Sequence, residues 1–167
     1  PDTPQFRSFI EGLVYPAFQE PATEISHRNT MKLIPAQYKV GRTALARVIG
    51  DEAKHGKFYR DMTGFALEVD PNMALIGIAR QIKSFAMPGK GIPGFNSHKE
   101  IISKAGIFGP IQLKAIYDEV LTKEWHIWDI ENLDSSGEKA RDFIDNYLNK
   151  MAKAIEWANR KTPNQNI

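Results

Sequence analysis

The sequence predicts an all-α protein, and three observations point there. Apolar residues recur at the 3.6-residue helical period over long stretches. The punctuation between those stretches is proline, glycine and N-cap residues. No segment shows the apolar–polar alternation of a half-buried strand.

The first element spans about 6–33, with Phe9, Leu13, Tyr15 and Phe18 on its apolar side. Pro16 and Pro21 fall inside it, so a broken or restarted helix is expected, because each proline removes a backbone donor. After Pro35 a second helix is predicted to run to Val69 as the longest element. Ala44, Val48, Ile49, Phe58, Met62, Phe65 and Leu67 would form its buried stripe. Asp70 followed by Pro71 reads as an N-cap and first helical residue, opening a third helix that carries Met73, Leu75, Ile76, Ile78 and Ala79 to about Ala86. The Pro- and Gly-rich run from Met87 to Phe95 is loop. Ser97 and Glu100 have capping-box spacing and predict the start of a short helix. Gly109 and Pro110 break the chain, a helix follows from Ile111 to about Glu124, and a second capping box, Ser135 to Glu138, announces a last helix to about Lys161.

Composition narrows the function. The chain has 167 residues, 42% of them hydrophobic, which suits one domain with its own core. The absence of cysteine excludes disulfide scaffolds, thiolate metal sites and cysteine nucleophiles. A net charge of +2 gives no reason to expect nucleic acid, and no apolar run approaches the roughly 20 residues of a membrane span, so a soluble, cytoplasmic protein is expected. The chain opens Pro1-Asp2 without a methionine or a signal peptide, which reads as a processed or partial polypeptide.

The segment Asp51-Glu52-Ala53-Lys54-His55 carries the most chemistry. Glu52 and His55 are three apart and leave one side of a helix together, so a carboxylate and an imidazole can share a metal. Glu-x-x-His is common on solvated helices. Here apolar Val48, Ile49 and Phe58 flank the pair, and an inward carboxylate is costly unless it is partnered. A second segment places Glu20, Thr23, Glu24 and His27 on one face at i, i+3, i+4 and i+7. By spacing alone, Glu24-x-x-His27 rivals Glu20 as a source of ligands, and His27 reads equally well as a core histidine with its hydrogen bonds satisfied.

These residues resemble the soluble acyl-[acyl carrier protein] desaturases, the plant stearoyl enzymes and their actinobacterial relatives. The resemblance runs through Gly12-Leu13-Val14-Tyr15, Phe18-Gln19-Glu20, Ala22-Thr23, Ile25-Ser26-His27, Asn29-Thr30, Asp51-Glu52 with His55, and Phe58-Tyr59. It continues through Met87-Pro88 and Gly137 to Asp142, while Ala105 to Gly109 with Gln112-Leu113 looks actinobacterial. It implies a ferritin-like helical bundle with a di-iron carboxylate centre. By that resemblance Glu20, Glu52 and His55 are metal ligands, and Thr23 is a catalytic hydroxyl on the oxygen-binding side that can pass a proton. His27 and Asp51 hold the ligands by hydrogen bonds. Gly12, Tyr15 and Met87 line the acyl channel, and Lys54 serves carrier-protein docking. Pro21 and Glu24 depart from the family pattern, and Glu24 is expected to face solvent.

A complete centre needs four carboxylates and two histidines from four helices, and this chain offers one lone Glu and one Glu-x-x-His. The resemblance therefore implies the C-terminal half of the bundle plus extra C-terminal helices. Residues 1–70 would hold the two ligand-bearing helices and 71–167 the remaining ones, with the other ligands on helices that precede this segment in the family. Glu124 and His126 are wrongly spaced to replace them. The implied reaction is O2-dependent removal of two hydrogens from a saturated acyl chain on acyl carrier protein, in fatty-acid biosynthesis. It would use two Fe, electrons from a ferredoxin-type donor, and a homodimer as in the family. The alternatives are another ferritin-like di-iron oxygenase and an inactive helical module that binds acyl carrier protein. The cluster of Lys150, Lys153, Arg160 and Lys161 reads as a wet helix face.

Overall fold

The structure is a computed structural model and describes residues 8–87 and 93–161. Among them there is no strand, and the order is α1 (Phe9–Leu33), α2 (Lys39–Val69), α3 (Pro71–Ser84), α4 (Phe95–Lys104), α5 (Pro110–Tyr117), a π-helical segment Asp118–Glu124, and α6 (Ser135–Lys161).

α1 is one continuous helix with both prolines inside it, which corrects the expected break. Pro16 and Pro21 remove the hydrogen bonds that the carbonyls of Gly12 and Ala17 would accept, at a cost of about 3 kcal/mol each. Packing outweighs that cost. Val14, Ala17, Phe18 and Ala22 around the prolines are wholly buried, and a fully buried side chain the size of Val or Phe contributes roughly 1.5–3 kcal/mol. Ser8 caps the start by accepting from the Glu11 amide, and Arg42 of α2 donates to the carbonyls of Met31 and Ile34 at the end.

α2 folds back along α1 and is the longest element. Its predicted buried stripe is corrected. Ile49 and Leu67 are buried and Met62 is half-buried, but Ala44, Val48, Phe58 and Phe65 are exposed, Phe58 at 56% and Phe65 at 58%. The flanks turned to α1, α3 and the π-helical segment are covered by elements of this chain. Val48 and Phe58 stand exposed on the remaining flank, and Phe65 lines a shallow cleft with Glu124 and Trp125.

α3 starts as predicted, with the Asp70 side chain accepting from the Met73 amide, and ends at Ser84 rather than Ala86. It runs beside α1. Glu11 pairs with Arg80 at 3.2 Å, and Ile10 packs so close to Gly77 that a Cβ there would meet it at 2.8 Å. Residues 88–92, which include Pro88 and most of the predicted loop, lie outside the described residues, as do residues 1–7.

α4 is capped by Gly94 in the left-handed region (φ +80), so Ser97 lies within the helix and the first capping box is corrected. Its other end closes on Gly106 (φ +67), whose amide reaches Ser103 while that of Ile107 reaches Ile102, the Schellman arrangement that glycine permits. Asn29 of α1 donates to the carbonyls of Gly106 and Ile107.

The helix predicted over 111–124 is α-helical only to Tyr117, then widens to π geometry. The widening turns both Val120 and Leu121 inward and delivers Trp125 to α2, where its indole Nε1 donates to the Arg60 carbonyl at 3.0 Å and Arg60 pairs with Glu124 at 2.7 Å. α6 begins at Ser135, yet its cap is Asp134, whose carboxylate accepts from the amides of Ser136 and Gly137 and from the Ser136 hydroxyl. The second capping box is thereby corrected. A carboxylate one residue earlier satisfies the same orphan amides. Ala140, Ile144 and Leu148 of α6 close a core with Val14, Phe18, Leu75, Ile78, Tyr117 and Leu121.

Candidate metal centre

The site forms where α1 and α2 run side by side. Glu20 projects from α1, and Glu52 and His55 project from adjacent turns of α2. One donor atom from each lies within 4.8 Å of the other two. His55 Nδ1 is 3.6 Å from Glu20 Oε2, and His27 Nε2 lies 3.7 Å from Glu52 Oε1. Two carboxylates and one imidazole are a donor set for a divalent first-row metal, with hard oxygens suited to iron. Among the described residues, no other group of three such side chains converges in this way.

The electrostatics agree with the geometry. Burial, followed by the hydrogen bond and charge of Glu52, pushes the Glu20 carboxyl up to about 7 in the absence of a cation. Two carboxylates this close share a proton unless a positive charge takes its place. Burial, with the charge of Glu20 second, raises the Tyr15 hydroxyl.

Sequence reasoning missed Gly56. A Cβ there would lie 3.4 Å from Glu20 Cβ, 3.4 Å from Pro21 Cδ and 2.8 Å from Arg60 Nη1. The bare glycine lets α1 pass close enough for Glu20 to reach Glu52. Its signal was a mid-helix glycine beside His55, where it costs about 1 kcal/mol relative to alanine unless packing requires it.

The other candidate residues divide. The Thr23 hydroxyl donates back along α1 to the carbonyls of Gln19 and Glu20. Glu24 pairs with Arg28 and is not among the converging donors, but its side chain is only 24% exposed, which corrects the expectation that it faces solvent. Asp51 is exposed and pairs with Lys54 at 3.3 Å, so in this structure neither approaches the three donors. Tyr15 stacks against Phe85 with ring centroids 5.8 Å apart and donates to the Ala86 carbonyl at 3.3 Å, while Gly12 and Met87 are half-buried near the same wall. Glu124 and His126 pair with Arg60 and Asp129 rather than joining the cluster. On α6, Lys150, Lys153, Arg160 and Lys161 are exposed.

Against known proteins, the fatty acid desaturase model matches residues 2–167. The chain belongs to the fatty acid desaturase family. It is 35% identical over 136 residues to DesA1 of Mycobacterium tuberculosis, named for acyl-[acyl-carrier-protein] desaturation, a match that covers 81% of this chain and 39% of that one. It is 31% identical over 159 residues to the chloroplastic stearoyl-[acyl-carrier-protein] 9-desaturase 1 of Oryza sativa, covering 88% and 41%. The X-ray structure of DesA2 from Mycobacterium tuberculosis aligns with a TM-score of 0.66 at 24% identity, over 81% of this chain and 53% of that one. That likeness shows the fold, a ferritin-like helical bundle. The chain spans about two fifths of the length of the curated relatives it matches. No described helix is long and apolar enough to cross a membrane.

Proposed function

We propose that this chain carries one half of the di-iron centre of an acyl-[acyl carrier protein] desaturase, and that the reaction is O2-dependent desaturation of a saturated acyl chain delivered on acyl carrier protein. The observation that carries the proposal is the convergence of Glu20, Glu52 and His55 within 4.8 Å, on the elements that match the family. Residues 1–70 hold the donor helices and 71–167 the supporting ones.

Glu20, Glu52 and His55 would hold iron, and two ferrous ions supplied with electrons from a ferredoxin-type donor provide the O2 activation needed to break an unactivated C–H bond. The residues around them prepare the setting. His27 Nε2 stands 3.7 Å from Glu52 Oε1 and would orient that carboxylate on closing to hydrogen-bond distance, as outer partners of metal ligands do. Thr23 Oγ1 holds its proton on the Glu20 carbonyl at 2.9 Å, and a rotation about χ1 would release that proton toward the carboxylate face. Tyr15, Phe85 and Phe18 form an aromatic wall beside the carboxylates, which excludes water and offers an apolar surface to an acyl chain reaching past Gly12 and Met87. Lys54 is exposed one residue before His55, where a cation can meet an acidic carrier protein.

The test is product analysis. The chain is coexpressed with the part of DesA1 that it does not match, loaded with iron, and given reduced ferredoxin, O2 and stearoyl-acyl carrier protein. An alkene with no inserted oxygen is the expected product. A hydroxylated acyl chain would move the reading to an oxygenase, and an unchanged acyl chain from iron-loaded protein would overturn the catalytic reading.

A further inference from the structure

The contact between α1 and α3 changes character along its length. On α1, Glu11, Tyr15 and Phe18 stand at i, i+4 and i+7 and form one stripe, and Gln81 of α3 stands four residues before Phe85, the cap at the end of that helix. On the side toward Glu20 the contact is aromatic. Tyr15 lies against Phe85, and Phe18 meets Phe85 edge-on with ring centroids 6.4 Å apart. Toward the start of α1 it turns polar. The Glu11 side chain is 4% exposed and pairs with Arg80, and Gln81, next in sequence to Arg80, is 5% exposed. One step further the two helices touch, since a Cβ on Gly77 would lie 2.8 Å from Ile10 Cγ2 and 3.8 Å from the Glu11 amide nitrogen.

A buried carboxylate is costly in apolar surroundings unless a cation partners it, so Glu11 depends on Arg80. That dependence makes the polar end a stop for an apolar ligand. Methylenes gain by leaving water along Tyr15, Phe18 and Phe85. A chain that reaches further has to part Glu11 from Arg80 and leave the carboxylate buried and unpaired, or pry Ile10 off Gly77. Glu11 precedes Glu20 by nine residues, about 13 Å along the helix, so the stop lies at a fixed reach from the donor cluster. Resting on the acyl-chain reading above, we propose that Glu11, Arg80 and Gln81 form the closed end of the acyl slot and set the longest chain that it accepts.

The test gives palmitoyl-, stearoyl- and icosanoyl-acyl carrier protein to the chain coexpressed with the unmatched part of DesA1, and reads affinity by calorimetry separately from alkene formed. Glu11→Leu/Arg80→Leu removes both charges at once, keeps the bulk, and should fold with unchanged helicity. It is expected to raise the preference for icosanoyl over palmitoyl by at least about tenfold in both readouts. Gln81→Leu should shift the preference the same way by less, and Arg80→Lys, which keeps the pair, should retain the parent's profile. A double variant with the parent's chain-length profile, whether its overall rate changes or not, would overturn the closed end and leave Glu11 and Arg80 a packing feature. A shifted affinity profile with no alkene from any protein would overturn the desaturase reading and leave the closed end standing. No preference among the three acyl chains in the parent, by affinity or by product, would overturn the closed end, and no affinity for any of them would overturn the acyl-chain reading with it.

Discussion

His55 Nδ1 and Glu20 Oε2 stand 3.6 Å apart across the contact between α1 and α2. That is too long for a hydrogen bond and fits two ligand atoms on one cation, each about 2.0–2.2 Å from it. Alanine at Glu20, Glu52 or His55 removes one of three donors and is expected to weaken Co(II) binding by more than about 100-fold, read by absorbance titration. His27→Ala, which removes only an orienting partner, should cost about 10–100-fold. Equal binding by all four variants would show that the cluster is not the site.

Stability of the metal-free protein should depend on Glu20. Its carboxyl is pushed up to about 7 in the folded chain from an ordinary value of 4.5. Between those values the folded state holds more proton than the unfolded one, so this group's contribution to stability falls as pH rises from 4.5 to 7 and is level outside that window. Glu20→Gln cannot ionise and should gain urea resistance over the parent at pH 8 in chelator, with the gain shrinking toward pH 5. Metal binding, which needs the carboxylate, should strengthen over the same rise.

Gly56 sets how closely the two donor helices approach. In Gly56→Ala the nearest obstacle is Arg60 Nη1 at 2.8 Å, which has to shift within its pair with Glu124, and the gain in helix propensity, about 1 kcal/mol, offsets that crowding. Unfolding free energy should change by less than about 1 kcal/mol. Gly56→Leu has to displace Glu20 and Pro21, should cost about 1–3 kcal/mol, and should weaken Co(II) binding as well. Denaturant melts with and without cobalt separate the two effects.

The start of α6 offers a further check. Asp134→Ala leaves the amides of Ser136 and Gly137 without their acceptor and should cost about 1 kcal/mol, whereas Ser135→Ala should be close to neutral. Thermal melts that rank the two variants the other way would restore the capping-box reading.

Much of the site was legible because its information is local. Glu52 and His55 are one helical turn apart, and the family pattern singled out Glu20, so the donor residues could be named without coordinates. What failed depended on tertiary context. Pro16 and Pro21 announce breaks by local rules, but the buried run from Val14 to Ala22 holds the helix through them. Helical periodicity shows that Val48, Phe58 and Phe65 share a flank, and it does not say whether anything packs there. The π geometry after Tyr117 has no sequence mark, since it depends on Trp125 finding a carbonyl on another helix. Ser97 and Ser135 matched a spacing that Gly94 and Asp134 pre-empted.

The contact at Arg60 reaches beyond its own neighbourhood. The residue is gripped twice, its carbonyl by the Trp125 indole and its guanidinium by Glu124. A helix free to spin about its axis would carry Glu52 and His55 out of step with Glu20, and a turn of 100° per residue leaves little tolerance. With Arg60 keyed to the π-helical segment, α2 has a fixed angular phase just beyond its donors. The aim of the carboxylate and imidazole is thus set like the hands of a clock, by a pin that the metal never touches.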